Sequence, residues 1–102
     1  MSITAKIALF FKALNDFNRF FDESNRQTRT LVFYSEKGIY LRYFEGLIQE
    51  ILTRSDLEIA YLTADIDDPI FQYQEPRIKP FYIHNFEASL FPKLDSKVVV
   101  MT

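Results

Sequence analysis

The chain of 102 residues contains no cysteine, no tryptophan, one histidine and two glycines. Without cysteine there is no disulfide, no thiolate nucleophile and no cysteine-ligated zinc, and a reducing compartment fits that usage. With no cysteine beside it, His84 completes no nucleophilic constellation and reads as a strand-end histidine bonded to backbone. Gly38 and Gly46 are too few and too far apart for a G-x-G-x-x-G turn or a P-loop. Charge of one sign is also missing. Twelve Lys and Arg stand against fourteen Asp and Glu, a formal charge of -2, and the pI is about 5.3, so no basic surface advertises itself to nucleic acid. No apolar run reaches the length of a membrane span. The N-terminal apolar positions are interrupted by charge and no small-residue cleavage site follows them, which argues against a secretory signal.

What is present is apolar and aromatic. Hydrophobic residues make up 48% and aromatic residues 17%, with eleven Phe and six Tyr, which excludes a disordered chain and implies a core of large rings. The length allows one domain that buries roughly 65% of its unfolded surface.

The fold is stated most clearly between Thr30 and Asp65. Leu31 to Tyr34 is an unbroken apolar run, as in a strand buried on both faces. After the turn Ser35-Glu36-Lys37-Gly38, apolar residues recur at Tyr40, Phe44, Leu47, Ile48, Ile51 and Leu52, the spacing of a helix with one buried face. On this reading Tyr40, Tyr43 and Phe44 belong to the core. Ser55-Asp56 ends the helix, and Leu57 to Leu62 suits a second strand. A helix between two buried strands makes a βαβ unit with a parallel pair.

Ile3, Ile7, Phe10, Leu14, Phe17 and Phe21 recur at steps of three and four, so Ser2 to Phe21 is expected to form a helix about 28 Å long. Its apolar stripe either packs on the sheet or another domain, or lies in the plane of a membrane with Lys and Arg at the headgroups. Residues 22–29 read as a polar connector without an apolar anchor. Pro69, Pro76 and Pro80 make 70–80 an ordered loop pinned by Phe71 and Tyr73. Phe81 to His84 is a short third strand, and Phe86 to Leu94 one or two helical turns. Lys97 to Thr102 is a fourth strand, apolar without a break and therefore expected at the centre of the sheet. A strand of that kind needs helical cover on each side. Residues 1–102 are accordingly expected to be the front part of a larger α/β protein.

LVFYSEKGIYLRYFEGLIQEIL, EIAYLTADIDDPIF, RIKPFYI and KVVVMT, in that order and at those intervals, resemble the N-terminal region of the CDP-glycerol glycerophosphotransferase family, the teichoic-acid-polymerase-like enzymes. The resemblance spans residues 30–102. It implies a Rossmann-like α/β fold, here a parallel sheet of about four strands with an amphipathic N-terminal helix, forming part of a GT-B-like enzyme. Residues 1–29 would be helix and connector, and 30–102 the α/β domain. Family members transfer glycerol phosphate from CDP-glycerol to a polymer or lipid-linked acceptor at the inner face of the membrane. The resemblance therefore implies an acceptor-side domain, cytoplasmic or peripheral at that face, with membrane contact through residues 2–21. It implies no cofactor and no catalytic residue within this chain, because the family's catalytic and CDP-binding residues lie beyond Thr102. Two positions depart from the family pattern: Lys37 and Gly38 are exchanged, and His84 stands where the family has a glycine. The alternative is a stand-alone α/β binding module whose Phe-rich helix makes a homo-oligomer.

In an open α/β sheet, ligands sit outside the carboxyl ends of the strands, which here means Ser35 to Gly38, Thr63 to Asp65 and the residues around His84; Ser35, Glu36, Lys37, Gly38 and Asp65 are the substrate-binding candidates. The Ser35–Gly38 turn either offers N–H groups to an anion, with Lys37 adding charge, or simply caps the helix with Gly38 at a special dihedral. Asp65-Ile66-Asp67-Asp68 has two readings as well: a turn, or the carboxylate pair of a GT-A-like, metal-dependent sugar transferase. No acid–base pair stands out, Glu36 and Glu45 having no reason to face one another.

Overall fold

The structure, a computed structural model, describes residues 2–101. Helix α1 (Ile3–Phe20) starts at Ser2, whose hydroxyl accepts the Ala5 N–H at 3.1 Å. Strand β1 (Leu31–Ser35) leads through a 3-10 turn at Gly38–Tyr40 into helix α2 (Leu41–Arg54). Strand β2 (Ile59–Thr63), a 3-10 turn at Pro69–Gln72 and strand β3 (Ile78–Tyr82) follow. The short helix α3 (Glu87–Leu90), a further 3-10 turn at Phe91–Lys93 and strand β4 (Val98–Met101) complete the order.

The four strands form one sheet in the order β3-β2-β1-β4, and every neighbouring pair is parallel. All five residues of β1 and of β2 are buried, as the unbroken apolar runs required. Alternate side chains serve opposite layers. Leu31, Phe33, Ile59 and Tyr61 meet Leu41, Phe44 and Ile48 of α2, while Val32, Ala60 and Leu62 meet Phe20 and Leu90 on the other face. Each fully buried Phe, Ile or Leu in these layers contributes about 1.5–3 kcal/mol. The result is a three-layer α/β unit, with α1 and α3 on one face and α2 on the other.

Several expectations are corrected. The fourth strand was expected at the centre; it lies at the border, beside β1 alone, with Val98 52% and Met101 57% exposed. Its apolar run reflects an uncovered edge, and Thr102 lies outside the described residues. The third strand begins at Ile78, three residues earlier than its apolar run. Pro80 lies within it, opposite Tyr61, which an edge strand tolerates because the missing N–H would have faced outward. Residues 22–29 have no apolar anchor, as expected, but a polar one holds them. Arg29 is buried, donates from Nη1 to the carbonyls of Phe20 and Asp22 at 2.9 Å each, and from Nε to Asp95 at 3.1 Å. The 70–80 loop is held chiefly by Ile70, fully buried, with Phe71 and Tyr73 only partly so.

α1 binds β3 through polar groups as well as rings. Asp16, 2% exposed, accepts the backbone N–H of Tyr82 at 2.8 Å, and Arg19 donates to the Pro80 carbonyl at 3.0 Å. These bonds and Pro80 close the outer border of the sheet on the β3 side. The buried residues of α1 are Ala13, Asp16 and Phe20, all in its second half. Its first three turns leave Ile3, Ile7, Phe10 and Phe11 exposed. No helix of the described residues is long and apolar enough to cross a membrane.

Candidate functional site

The carboxyl ends of β1, β2 and β3 carry two cavities and, between them, a tightly bonded loop system. At the end of β1 the buried Ser35 donates its hydroxyl proton to the Lys37 carbonyl at 2.7 Å. Gly38 then donates its N–H to Asp65 Oδ2 at 2.8 Å. The other Asp65 oxygen accepts the Asp67 N–H at 2.9 Å. Asp68 is equally committed, accepting from Ile70 N–H at 3.0 Å and from the Thr63 hydroxyl at 2.7 Å. Burial pushes the Asp68 carboxyl above its ordinary range, and the charge of Asp65 adds to that.

These bonds explain the sequence locally. Asp68 caps the 3-10 turn that Pro69 begins, and Asp65 ties the end of β2 to the turn after β1. Gly38 has an ordinary negative φ, so the expectation of a special dihedral is corrected. Closeness requires glycine there: a Cβ would stand 2.7 Å from Pro69 Cδ and 2.9 Å from Asp68 Cα. The Gly38 N–H is therefore already paired with Asp65, and the Tyr40 N–H goes to the Lys37 carbonyl at 3.0 Å. Among the described residues no three His, Cys, Asp or Glu side chains gather to hold an ion.

The first cavity, about 480 Å³, lies between α1 and the ends of β2 and β3. Lys6, Leu9 and Phe10 form its α1 wall; Asp65, Ile66 and His84 stand opposite. His84 is not bonded to backbone as a strand-end residue. It sits in the turn from Ile83 to Phe86, exposed, its ring 6.3 Å from that of Tyr82. Asn85 takes the left-handed conformation at φ 74°, which asparagine tolerates better than most residues. The cavity thus combines a lysine ammonium, an imidazole and the Asp65 carboxylate with an apolar wall.

The second cavity, about 430 Å³, lies at the ends of β1 and β4 and is lined by Glu36, Tyr40, Tyr43, Phe44 and Met101. Here a further correction applies. Phe44 is core, but Tyr43 is 70% exposed and Tyr40 is only partly covered. Nearby, burial pushes the Tyr34 phenol up to about 12, with the charges of Glu87 and Glu36 adding to the shift.

Of the five candidates read from sequence, Ser35 and Gly38 are buried in the loop system, Asp65 lines the first cavity and Glu36 the second. Lys37 is exposed and lines neither. Sequence reading missed Lys6 and Tyr43, and reached Asn85 only as a neighbour of His84. The asparagine after His84 was a turn signal, whereas nothing in the stripe of α1 told which turn would overhang the strand ends. Set against protein-family models, curated proteins and solved structures, the chain matches none of them.

Proposed function

We propose that this chain is the acceptor-side unit of a glycerophosphotransferase-like enzyme of cell-surface polymer synthesis, inactive by itself. The observation that carries the reading is the first cavity. Lys6 and His84 supply donors for a phosphate, Asp65 an acceptor rim, and Leu9, Phe10 and Ile66 an apolar wall, at the strand ends where α/β sheets hold ligands. A polyol phosphate carried on a lipid has the matching character. Phe10 also belongs to the exposed apolar group of α1 with Ile3, Ile7 and Phe11, so the cavity adjoins a surface suited to a membrane. The order β3-β2-β1-β4 is that of the first half of a doubly wound sheet, which supports a place within a larger α/β enzyme.

Titrating the whole chain with glycerol 3-phosphate and a short glycerol phosphate oligomer, followed by amide NMR, tests this. Saturable shifts at Lys6, Asp65, Ile66, His84 and Asn85 are expected, weakened by Lys6→Ala and by His84→Ala. Shifts spread without pattern, or unaffected by both variants, would overturn the reading. CMP release from CDP-glycerol by the chain alone would contradict its inactivity. Flotation with phosphatidylglycerol vesicles addresses residues 2–21, and loss of binding in Phe10→Glu/Phe11→Glu is the expected sign of membrane contact.

A further inference from the structure

The second cavity lies where the chain order of the sheet reverses, since β1 has β2 on one side and β4 on the other. That position is a crevice in open α/β sheets. Its lining is unlike that of the first cavity. No Lys, Arg or His contributes, and the single charge is the Glu36 carboxylate. Among the described residues Glu36 makes no ion pair and no side-chain hydrogen bond, in contrast to Asp16, Asp65 and Asp68. Around it stand three aromatic rings and a thioether. The Tyr40 and Tyr43 ring centroids are 6.2 Å apart with planes inclined by 36°. Phe44 is fixed from behind by edge-on contacts with Phe33 at 5.2 Å and Tyr61 at 6.1 Å.

We propose that this cavity binds a ligand bearing a quaternary ammonium group. The choice follows by comparing what each ligand class would meet. A phosphate or carboxylate would face Glu36 with no compensating cation. A neutral apolar group would desolvate Glu36 and leave it unpaired, at a cost that removes the gain from the rings. A cation is attracted both by the carboxylate and by the negative faces of the rings. A primary ammonium would bring three N–H donors to one carboxylate, whereas a methylated one brings none and presents apolar methyl groups to Tyr43, Phe44 and the polarisable Met101 sulfur. The site is independent of the phosphate-binding reading of the first cavity, where the Lys6 ammonium would repel such a ligand.

The test titrates the full chain with tetramethylammonium and with choline, alongside the uncharged choline isostere 3,3-dimethylbutan-1-ol, each followed by amide NMR. Saturable shifts confined to Glu36, Tyr40, Tyr43 and Met101 are expected. Glu36→Gln and Tyr43→Ala should each weaken them by about fivefold, and Lys6→Ala should not. Both altered side chains are exposed, so unchanged shifts elsewhere will certify the fold. Absence of saturation up to about 100 mM, equal binding of the neutral isostere, or indifference to both substitutions would overturn the proposal.

Discussion

Asp16 reaches across from the second half of α1 to accept the backbone N–H of Tyr82 at 2.8 Å, and so a helix side chain takes the place of a missing neighbouring strand. The same carboxylate pairs with Lys12 and Arg19, each at 3.2 Å, but those partners are about half exposed and contribute little. The N–H bond dominates. Asp16→Ala is expected to cost about 3 kcal/mol, because it strands a buried donor. Asp16→Asn, which keeps an acceptor there, is expected to cost about 1 kcal/mol. Urea unfolding of the two variants checks the order; equal losses would show that the ion pairs carry the effect.

The two glycines are opposite cases. Gly38→Ala drives a Cβ into Pro69 and the Asp68 backbone, and about 2 kcal/mol of destabilisation is expected. Gly46 lies in the interior of α2 on its exposed side, with nothing within 4 Å of an added Cβ. Gly46→Ala should stabilise by about 0.5–1 kcal/mol through helix propensity and a less flexible unfolded chain. Thermal unfolding of the pair should move in opposite directions.

Tyr61 is fully buried, and among the described residues its hydroxyl makes no hydrogen bond of good geometry, the Ser35 hydroxyl beside it only partly opposing the rise in its pKa. Burial pushes its pKa above the usual phenol range, with the charge of Asp68 adding. An unpaired buried hydroxyl is a liability, so Tyr61→Phe is expected to be neutral or to stabilise by about 1 kcal/mol. A loss above that in chemical denaturation would mean that the hydroxyl has a partner in solution.

Asp68 and Asp95 titrate in opposite senses. Burial raises Asp68 above its unfolded value of 3.8, so the native state binds that proton more tightly than the unfolded chain. Its contribution is full below 3.8 and is lost as pH rises through the raised value. The hydrogen bond from Arg29 lowers Asp95, whose contribution is present above 3.8 and is lost as pH falls through the lowered value. Melting temperatures against pH should therefore show Asp68→Asn gaining on the parent as pH rises from about 3.8, and Asp95→Asn falling behind it over a lower window, as pH rises toward 3.8 from below. The reverse trend in either variant would contradict the burial of Asp68 or the Arg29 bond.

The parallel core was legible because Leu31–Tyr34 and Ile59–Leu62 are apolar without alternation, and only strands covered on both faces require that. α2 was legible from its period, and the amphipathic α1 likewise. β4 misled for the same reason that β1 did not: Val98–Val99–Val100 has the composition of a central strand, and composition reports the demand for cover, not its presence. Pro80 hid the start of β3, since a proline is read as a break until the strand is known to be an edge. Of the site, the strand-end rule located Glu36 and Asp65. Lys6 comes from an element some sixty residues away along the chain, and only the packing of α1 over the sheet brings it to the cavity that Asp65 lines.

The two flanks of the sheet have been finished differently. Along β3, a proline, a carboxylate and a guanidinium leave little for a newcomer to grip. Along Val98–Met101 there is neither charge nor proline to discourage a stranger, so at high concentration that flank is where unwanted stickiness would start. Anyone wishing to quieten the protein for solution work would begin with Val99→Lys, and anyone wishing to splice an added strand onto it would keep that flank as it is.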